Sequence, residues 1–190
     1  MKTIIIGGVA GGASAAARLR RLDEAAEIII LERGEFISFA NCGLPYFIGG
    51  EITDRKMLTL QTPSSFKARF NIDVRVFSEA IKISPDTKTV TVKNLNTGTT
   101  YEEGYDNLIL SPGAEPIKPN IVGIDGDNVF TLRNIPDTLK IKSYIETTEP
   151  KSAVVVGGGY IGVEMAENLA KAGLEVSIVE LADHLIAPLF

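Results

Sequence analysis

Residues 154–162 read Val154-Val155-Val156-Gly157-Gly158-Gly159-Tyr160-Ile161-Gly162, a β-branched run that breaks into glycines and opens a helical stretch. This is the Gly-x-Gly-x-x-Gly pattern in the setting that gives it meaning, a strand before it and a helix after it. Glycine lets the backbone turn tightly and come close to a pyrophosphate. The helix that follows holds the negative charge with its free amides and positive dipole end. Gly157, Gly159 and Gly162 fill every glycine position.

Near the other end of the chain, Ile4-Ile5-Ile6-Gly7-Gly8-Val9-Ala10-Gly11-Gly12 repeats the context, with Val9 at the middle glycine position. The next strand after each fingerprint ends in an acid: Glu32 closes Ile28-Ile29-Ile30-Leu31, and Glu180 closes Val176-Ser177-Ile178-Val179. The spacing is roughly 20 residues or slightly more, as for a carboxylate that accepts from ribose hydroxyls. An acid at a strand end also suits plain solvation. The expected fold class is α/β, two Rossmann-like βαβ units with an antiparallel β-meander inserted into the first, the second unit being incomplete.

The chain has 190 residues, 45% of them hydrophobic, enough for one large or two small domains with a real core. The second unit reaches residue 190 just after its second strand, whereas a complete unit needs a third strand and its crossover, so the expectation is the front portion of a longer protein. The expected division is residues 1–114 for the first dinucleotide and 115–190 for the second. A net charge of −5 and a pI near 5.0 supply no basic surface for nucleic acid. No apolar run approaches the ~20 residues of a membrane span, and no signal peptide precedes the first strand. A cytoplasmic enzyme is the expectation. The single cysteine rules out an internal disulfide, so thiol chemistry involves Cys42 with an external partner or the sulfur's own oxidation states.

Along the chain, the first strand and helix span about residues 3–22 and the second strand about 27–31. A loop leads to a helix from about Cys42. Thr62-Pro63-Ser64-Ser65 reads as a helix start with Thr62 as its cap. From residue 72 to 110 the periodicity becomes strand-like, with Val74-Arg75-Val76 and Thr89-Val90-Thr91-Val92 alternating and turns at Pro85-Asp86 and Asn96-Thr97-Gly98. These segments are expected to form the meander, ending in a buried strand, Asn107-Leu108-Ile109-Leu110. The proline- and glycine-rich run Ser111-Pro112-Gly113-Ala114-Glu115-Pro116 marks the boundary, and a helix is expected over about 135–147.

Cys42 stands in Ser38-Phe39-Ala40-Asn41-Cys42-Gly43-Leu44-Pro45-Tyr46. With Asn41 capping the following helix, Cys42 takes its first position, where free amides and the dipole favour a thiolate; Pro45 suits such a first turn. An inert buried thiol is the competing reading. On the first helix, Ser14, Arg18 and Arg21 share one face beside an apolar stripe of Ala15, Leu19 and Leu22. Two guanidiniums and a hydroxyl suit a phosphorylated ligand, and a solvated charged face is equally compatible with the spacing.

With these residues in view, the chain resembles the pyridine nucleotide-disulfide oxidoreductases, in particular the single-cysteine branch of coenzyme A-disulfide reductases and their rhodanese-fused, persulfide-reducing relatives. The resemblance spans the whole chain. Residues 38–46 with Gly49-Gly50 carry it most specifically, and Gln61-Thr62-Pro63 with Phe66-Lys67-Ala68-Arg69-Phe70 looks like the fused subgroup. It implies FAD at the first fingerprint, whose Val9 this branch shares, and the nicotinamide dinucleotide at the second, where the negative charge of Glu180 would repel the 2′-phosphate of NADPH and favour NADH. The positions it assigns to the cofactors are Gly7, Gly8, Val9, Ala10, Gly11, Gly12, Glu32, Arg33, Asn41, Gly157, Gly159, Tyr160, Ile161, Gly162 and Glu180. For coenzyme A it points to Ser14, Arg18, Arg21, Ser38 and Asn41, with Cys42 as the redox residue. The implied chemistry passes electrons from NADH through FAD and Cys42 to coenzyme A disulfide or a related persulfide or polysulfide. A homodimer is implied for the full-length form.

Two other readings stay open. In an NADH peroxidase or oxidase, Cys42 cycles through sulfenic acid and needs no coenzyme A. A non-catalytic dinucleotide-binding fragment needs no turnover at all. His184 reads as ordinary surface, and one Cys with one His makes no typical zinc site.

Overall fold

The computed structural model describes residues 1–187. Pro188-Leu189-Phe190, the end of the expected second domain, lie outside the described residues. In chain order the elements are β1 (Lys2–Ile6), α1 (Ala10–Leu22), β2 (Glu27–Leu31), α2 (Leu44–Ile48), α3 (Pro63–Phe70), β3 (Asp73–Arg75), β4 (Ser78–Ser84), β5 (Thr89–Asn94), β6 (Thr100–Gly104), β7 (Asn107–Leu110), α4 (Ile135–Thr148), β8 (Ser152–Val156), α5 (Tyr160–Lys171) and β9 (Glu175–Val179). Short 3-10 turns cover Asn41–Gly43 and Arg55–Leu58. The chain forms two compact units, one of residues 1–39 and 59–114, the other of residues 40–58 and 115–190.

In the first unit, β3-β2-β1-β7 form a parallel sheet and β4-β5-β6 an antiparallel one. Continuous isoleucine runs make β1 and β2 because a parallel strand covered on both faces has no use for polar alternation. Ile5, Ile28 and Ile30 pack with Ala13 and Ala16 of α1 and Phe66 of α3. The alternate residues Ile4, Ile29 and Leu31 pack against Val90 and Val92 of the antiparallel sheet. Period-2 side chains thus weld three layers, each fully buried isoleucine contributing roughly 1.5–3 kcal/mol. Small residues on α1, with Gly12, Ala13 and Ala16 buried, let the helix lie close to β1. Leu22 is exposed, so the apolar stripe of α1 ends before it.

Two expectations need correction here. β3 pairs with β2 in parallel and leaves the meander to β4, β5 and β6, because the three residues after α3 complete a crossover. β7 pairs with β1 alone at the sheet's edge, so Leu110 is exposed and the strand is half-buried.

In the second unit, β8 and β9 pair in parallel, from Ser152 opposite Glu175 to Val156 opposite Val179. One face, with Ala153, Val155 and Val176, packs on Ile141 of α4 and Met165 and Leu169 of α5. On the other, Val154, Val156 and Val179 are exposed. Among the described residues no helix is long and apolar enough to cross a membrane, and no cluster of potential metal ligands occurs.

Candidate functional site

The first fingerprint is a turn that only glycine can make. Gly7 has φ +97°, and a Cβ there falls 2.0 Å from the carbonyl oxygen of Ser111; one on Gly12 falls 1.8 Å from the carbonyl of Gly7. The Gly8 amide donates to Oε2 of Glu32 at 2.7 Å, and the Gly34 amide donates to Oε1 at 2.7 Å. Each oxygen keeps a lone pair for a further donor. The Ser38 amide donates to the Gly8 carbonyl at 3.0 Å, and Ser38 itself sits in the left-handed region at φ +44°. A serine held there is strained, which marks the segment as fixed from both sides.

The second fingerprint repeats this construction. Gly157 has φ +107°, and a Cβ on Gly162 falls 1.9 Å from the Gly157 carbonyl. The Gly158 amide donates to Oε2 of Glu180, and the Ala182 amide donates to Oε1 at 2.8 Å. Those amides, Ala182 first and then Gly158, hold the Glu180 carboxyl below the usual carboxylate range. Gly159 differs from the other fingerprint glycines, since a Cβ there meets nothing within 4 Å and its φ of −73° is open to any residue. The space beside it is a cradle a side chain would fill. Tyr160 and Ile161 are exposed at the helix start.

Helix capping separates these two starts from those of the other helices of eight or more residues, α3 and α4. α3 carries a full capping box, Thr62 with Ser65, and α4 another, Asn134 with Asp137. α1 follows Val9 and α5 follows Gly159, and neither start has a side-chain cap. Their first-turn amides are left for an external acceptor, as at a phosphate-binding helix start. The donors, the cradle at Gly159 and the acids fit dinucleotides.

Cys42 is exposed, within the 3-10 turn Asn41–Gly43 that leads into α2. The expected Asn41 cap is not formed: Ala40 takes the cap position without a side-chain bond, because Asn41 itself enters the turn and its carbonyl accepts the Leu44 amide. Oδ1 of Asn41 is buried with no hydrogen-bond partner among the described residues. Pro45 does stand in the first turn of α2. Behind the turn, Gly43 packs on Ile52 and Leu58, and the Ala40 amide donates to the Leu58 carbonyl at 2.8 Å.

On α1 the arginines divide by role. Arg20 donates to the carbonyls of Phe70 at 2.8 Å and Asn71 at 3.1 Å, and to that of Glu24, tying the end of α1 to the end of α3. Ser14, Arg18 and Arg21 are exposed, and their side chains make no hydrogen bond or ion pair to the described residues. Arg33 is exposed beyond Glu32, and His184 pairs with neighbouring Asp183. Within the first unit the fold gathers Gly8, Glu32 and Ser38; within the second it gathers Gly158 and Glu180, with Asn41 and Cys42 on the turn before α2.

Sequence reasoning overlooks Ser111. Its backbone closes over Gly7, and its Oγ lies 2.5 Å from where a Cβ on Gly11 falls. The extra glycine at 11, where the second fingerprint has Ile161, is the signal that something packs there. It also overlooks the segment after β9, where the Ile186 amide donates to the Gly158 carbonyl at 2.9 Å and Leu185 packs on Gly158.

Comparison with known proteins gives a consistent answer. The coenzyme A disulfide reductase of Staphylococcus haemolyticus is 46% identical over 182 residues, covering 96% of this chain and 41% of that protein. A crystal structure of reduced Bacillus anthracis CoADR-RHD superposes with a TM-score of 0.96 at 58% identity, covering 98% of this chain and 34% of that one. An NAD-dependent persulfide reductase from A. fulgidus gives 0.94 at 37%, covering 98% and 35%. The chain thus spans less than half the length of these relatives. The pattern of pyridine nucleotide-disulphide oxidoreductase matches residues 1–190, and the chain belongs to that family.

Proposed function

We propose that this chain forms the dinucleotide-binding part of an FAD-dependent reductase that passes electrons from NADH to coenzyme A disulfide or a coenzyme A-type persulfide. The observation that carries the reading is a construction made twice: an uncapped helix start after a glycine turn in which the amide of Gly8 or Gly158 donates to the acid ending the next strand. Residues 1–114 hold FAD, with Gly7, Gly8 and Glu32 at its pyrophosphate and ribose, and residues 115–190 hold the nicotinamide dinucleotide, with Gly157, Gly159 and Glu180 in those roles. The negative charge of Glu180 favours NADH over the 2′-phosphate of NADPH. Ser14, Arg18, Arg21, Ser38 and Asn41 serve coenzyme A.

Cys42 is the working thiol. Its thiolate attacks one sulfur of coenzyme A disulfide, forming a Cys42–coenzyme A mixed disulfide and releasing one coenzyme A thiolate. FAD, when bound, relays the two electrons of NADH that are needed to cleave the mixed disulfide. Exposure of Cys42 in a turn, not a core position, supports this role over an inert thiol. The cytoplasm is the proposed compartment and a homodimer the proposed assembly of the full-length form.

Intact mass and absorption spectra test the proposal. The protein exposed to coenzyme A disulfide gains the mass of one coenzyme A, with a flavin band retained. Cys42→Ser gains none and still lets NADH bleach the flavin. A thiol that forms only oxygen adducts under peroxide and none with coenzyme A disulfide moves the assignment to a peroxidase or oxidase. Absence of flavin and of NADH binding leaves a non-catalytic fragment.

A further inference from the structure

Gly49 and Gly50 are adjacent glycines with different reasons to be glycine. Gly50 has φ +84° and open space around it, so its backbone conformation asks for glycine. Gly49, the cap residue at the end of α2, has φ −69° and ψ −8°, which any residue adopts. What excludes a side chain at Gly49 is Asn168 of α5: a Cβ on Gly49 falls 2.6 Å from Asn168 Oδ1, 2.9 Å from its Cβ and 3.0 Å from its carbonyl oxygen.

Asn168 is itself anomalous. It is fully buried, beside Leu169 and Met165 in the apolar seam of α5, where leucine or alanine is the ordinary choice. Its Nδ2 donates to the Glu164 carbonyl at 2.8 Å, whereas Oδ1 is buried with no hydrogen-bond partner among the described residues. A buried acceptor in that state is destabilising and asks for a reason. The neighbour it does have is the Cα–H side of Gly49, an approach that suits a weak C–H···O contact and requires a residue without a Cβ. From α4, Lys142 donates to the Phe47 carbonyl at 3.0 Å with its ammonium 5.0 Å from the Phe47 ring. The last turn of α2 is therefore held from two helices. Cys42 lies just ahead of its first turn.

We propose that Gly49 and Asn168 form a positioning joint: Asn168 seats the end of α2 against α5, the helix that opens the second fingerprint, and so sets where Cys42 sits. α2 has five residues, too short for its N-terminal turn to escape a displacement at its C-terminus. Close packing gives the joint little slack. Asn168 and Gly49 touch no reacting atom. The significance for catalysis rests on the function proposed above; the joint itself does not.

Because Cys42 is the chain's single cysteine, its alkylation rate with iodoacetamide reports on the turn directly, with no cofactor needed. Well below the melting temperature, Gly49→Ala is expected to change that rate about threefold or more, because the methyl group has to push α2 away from α5. Adding Asn168→Gly removes the two closest obstructing atoms and leaves the carbonyl oxygen at 3.0 Å, a contact that a shift of a few tenths of an ångström relieves, so the double variant is expected to recover at least half of the change. Loss of stability alone lowers the melting temperature without moving the folded-state rate or producing this rescue. If Gly49→Ala does not fold, Asn168→Gly alone is read, with the same threshold. A folded Gly49→Ala that reacts at the wild-type rate, a double variant that recovers less than half of the change, or, in the fallback, an unchanged Asn168→Gly overturns the joint. Flavin retention and NADH binding are measured in parallel on wild type. Their failure removes the proposed function and leaves the thiol comparison standing.

Discussion

Glu180 at the end of β9 accepts the amide of Gly158, 22 residues earlier, so the acid and the turn of the second fingerprint are one rigid piece. With Oε1 on the Ala182 amide, the carboxylate is oriented at both oxygens and stays ionised below the usual carboxylate range. Replacing Glu180 with Ala is expected to narrow the preference for NADH over NADPH by about tenfold, read as the ratio of their dissociation constants. An unchanged ratio would mean that another group discriminates.

Gly159 and Gly162 differ in the space beside them, open at the first and filled by the Gly157 carbonyl at the second. Gly159→Ala meets no neighbour, so its melting temperature should stay at the wild-type value while NADH affinity falls about tenfold or more. Gly162→Ala drives a methyl into the Gly157 carbonyl and is expected to destabilise by about 1–3 kcal/mol or more. Equal thermal losses in the two variants would contradict this division.

For the arginines of α1, opposite outcomes are expected. Arg20→Ala strips hydrogen bonds from four backbone carbonyls, those of Phe70, Asn71, Glu24 and Asp23, and should cost about 1–3 kcal/mol in a urea titration. Arg18→Ala/Arg21→Ala removes side chains without partners among the described residues and should stay within about 0.5 kcal/mol of wild type. Binding of coenzyme A by the double variant should weaken and lose part of its salt dependence. Coenzyme A titrations matching wild type would make that face merely solvated.

Glu103 is the acid-sensitive element of the first unit. Burial opposes its ionisation, but hydrogen bonds from Lys2 and Arg75, and their charges, outweigh that and hold the carboxyl below the usual range. A depressed folded-state value contributes stability that is fully present above the unfolded value of about 4.3 and is lost as pH falls through the folded one. Glu103→Gln should therefore cost about 2 kcal/mol at pH 7, with the deficit shrinking towards pH 3. A deficit of the same size at both pH values would show that ionisation is not its source.

The parts legible in the sequence are those governed by local periodicity. Isoleucine runs ending in glycine announce β1 and β2, and Thr62 with Pro63 announces α3. Strand-end spacing points to Glu32 and Glu180, but only the folded chain reveals that each holds an amide of its own fingerprint. What stays hidden depends on partners distant in sequence. β3 alternates like a meander strand, and nothing local says that β2 is its neighbour. Asn41 looks like a cap because asparagine usually is one, yet the backbone enters a 3-10 turn a residue earlier. Gly49 reads as one half of a glycine pair until Asn168 arrives from α5.

Among the four helices of eight or more residues, two close their own starts and two do not, and this gives the protein an uneven dependence on its surroundings. α3 and α4 are complete by their own side chains, whereas α1 and α5 acquire acceptors only when an anion arrives. Whatever binds there adds a term to folding that grows with the logarithm of its free concentration, about 2.7 kcal/mol at a hundredfold excess over its dissociation constant. Under the proposed function, dinucleotide supply would then set how long the polypeptide survives proteolysis, apart from any part it plays in turnover.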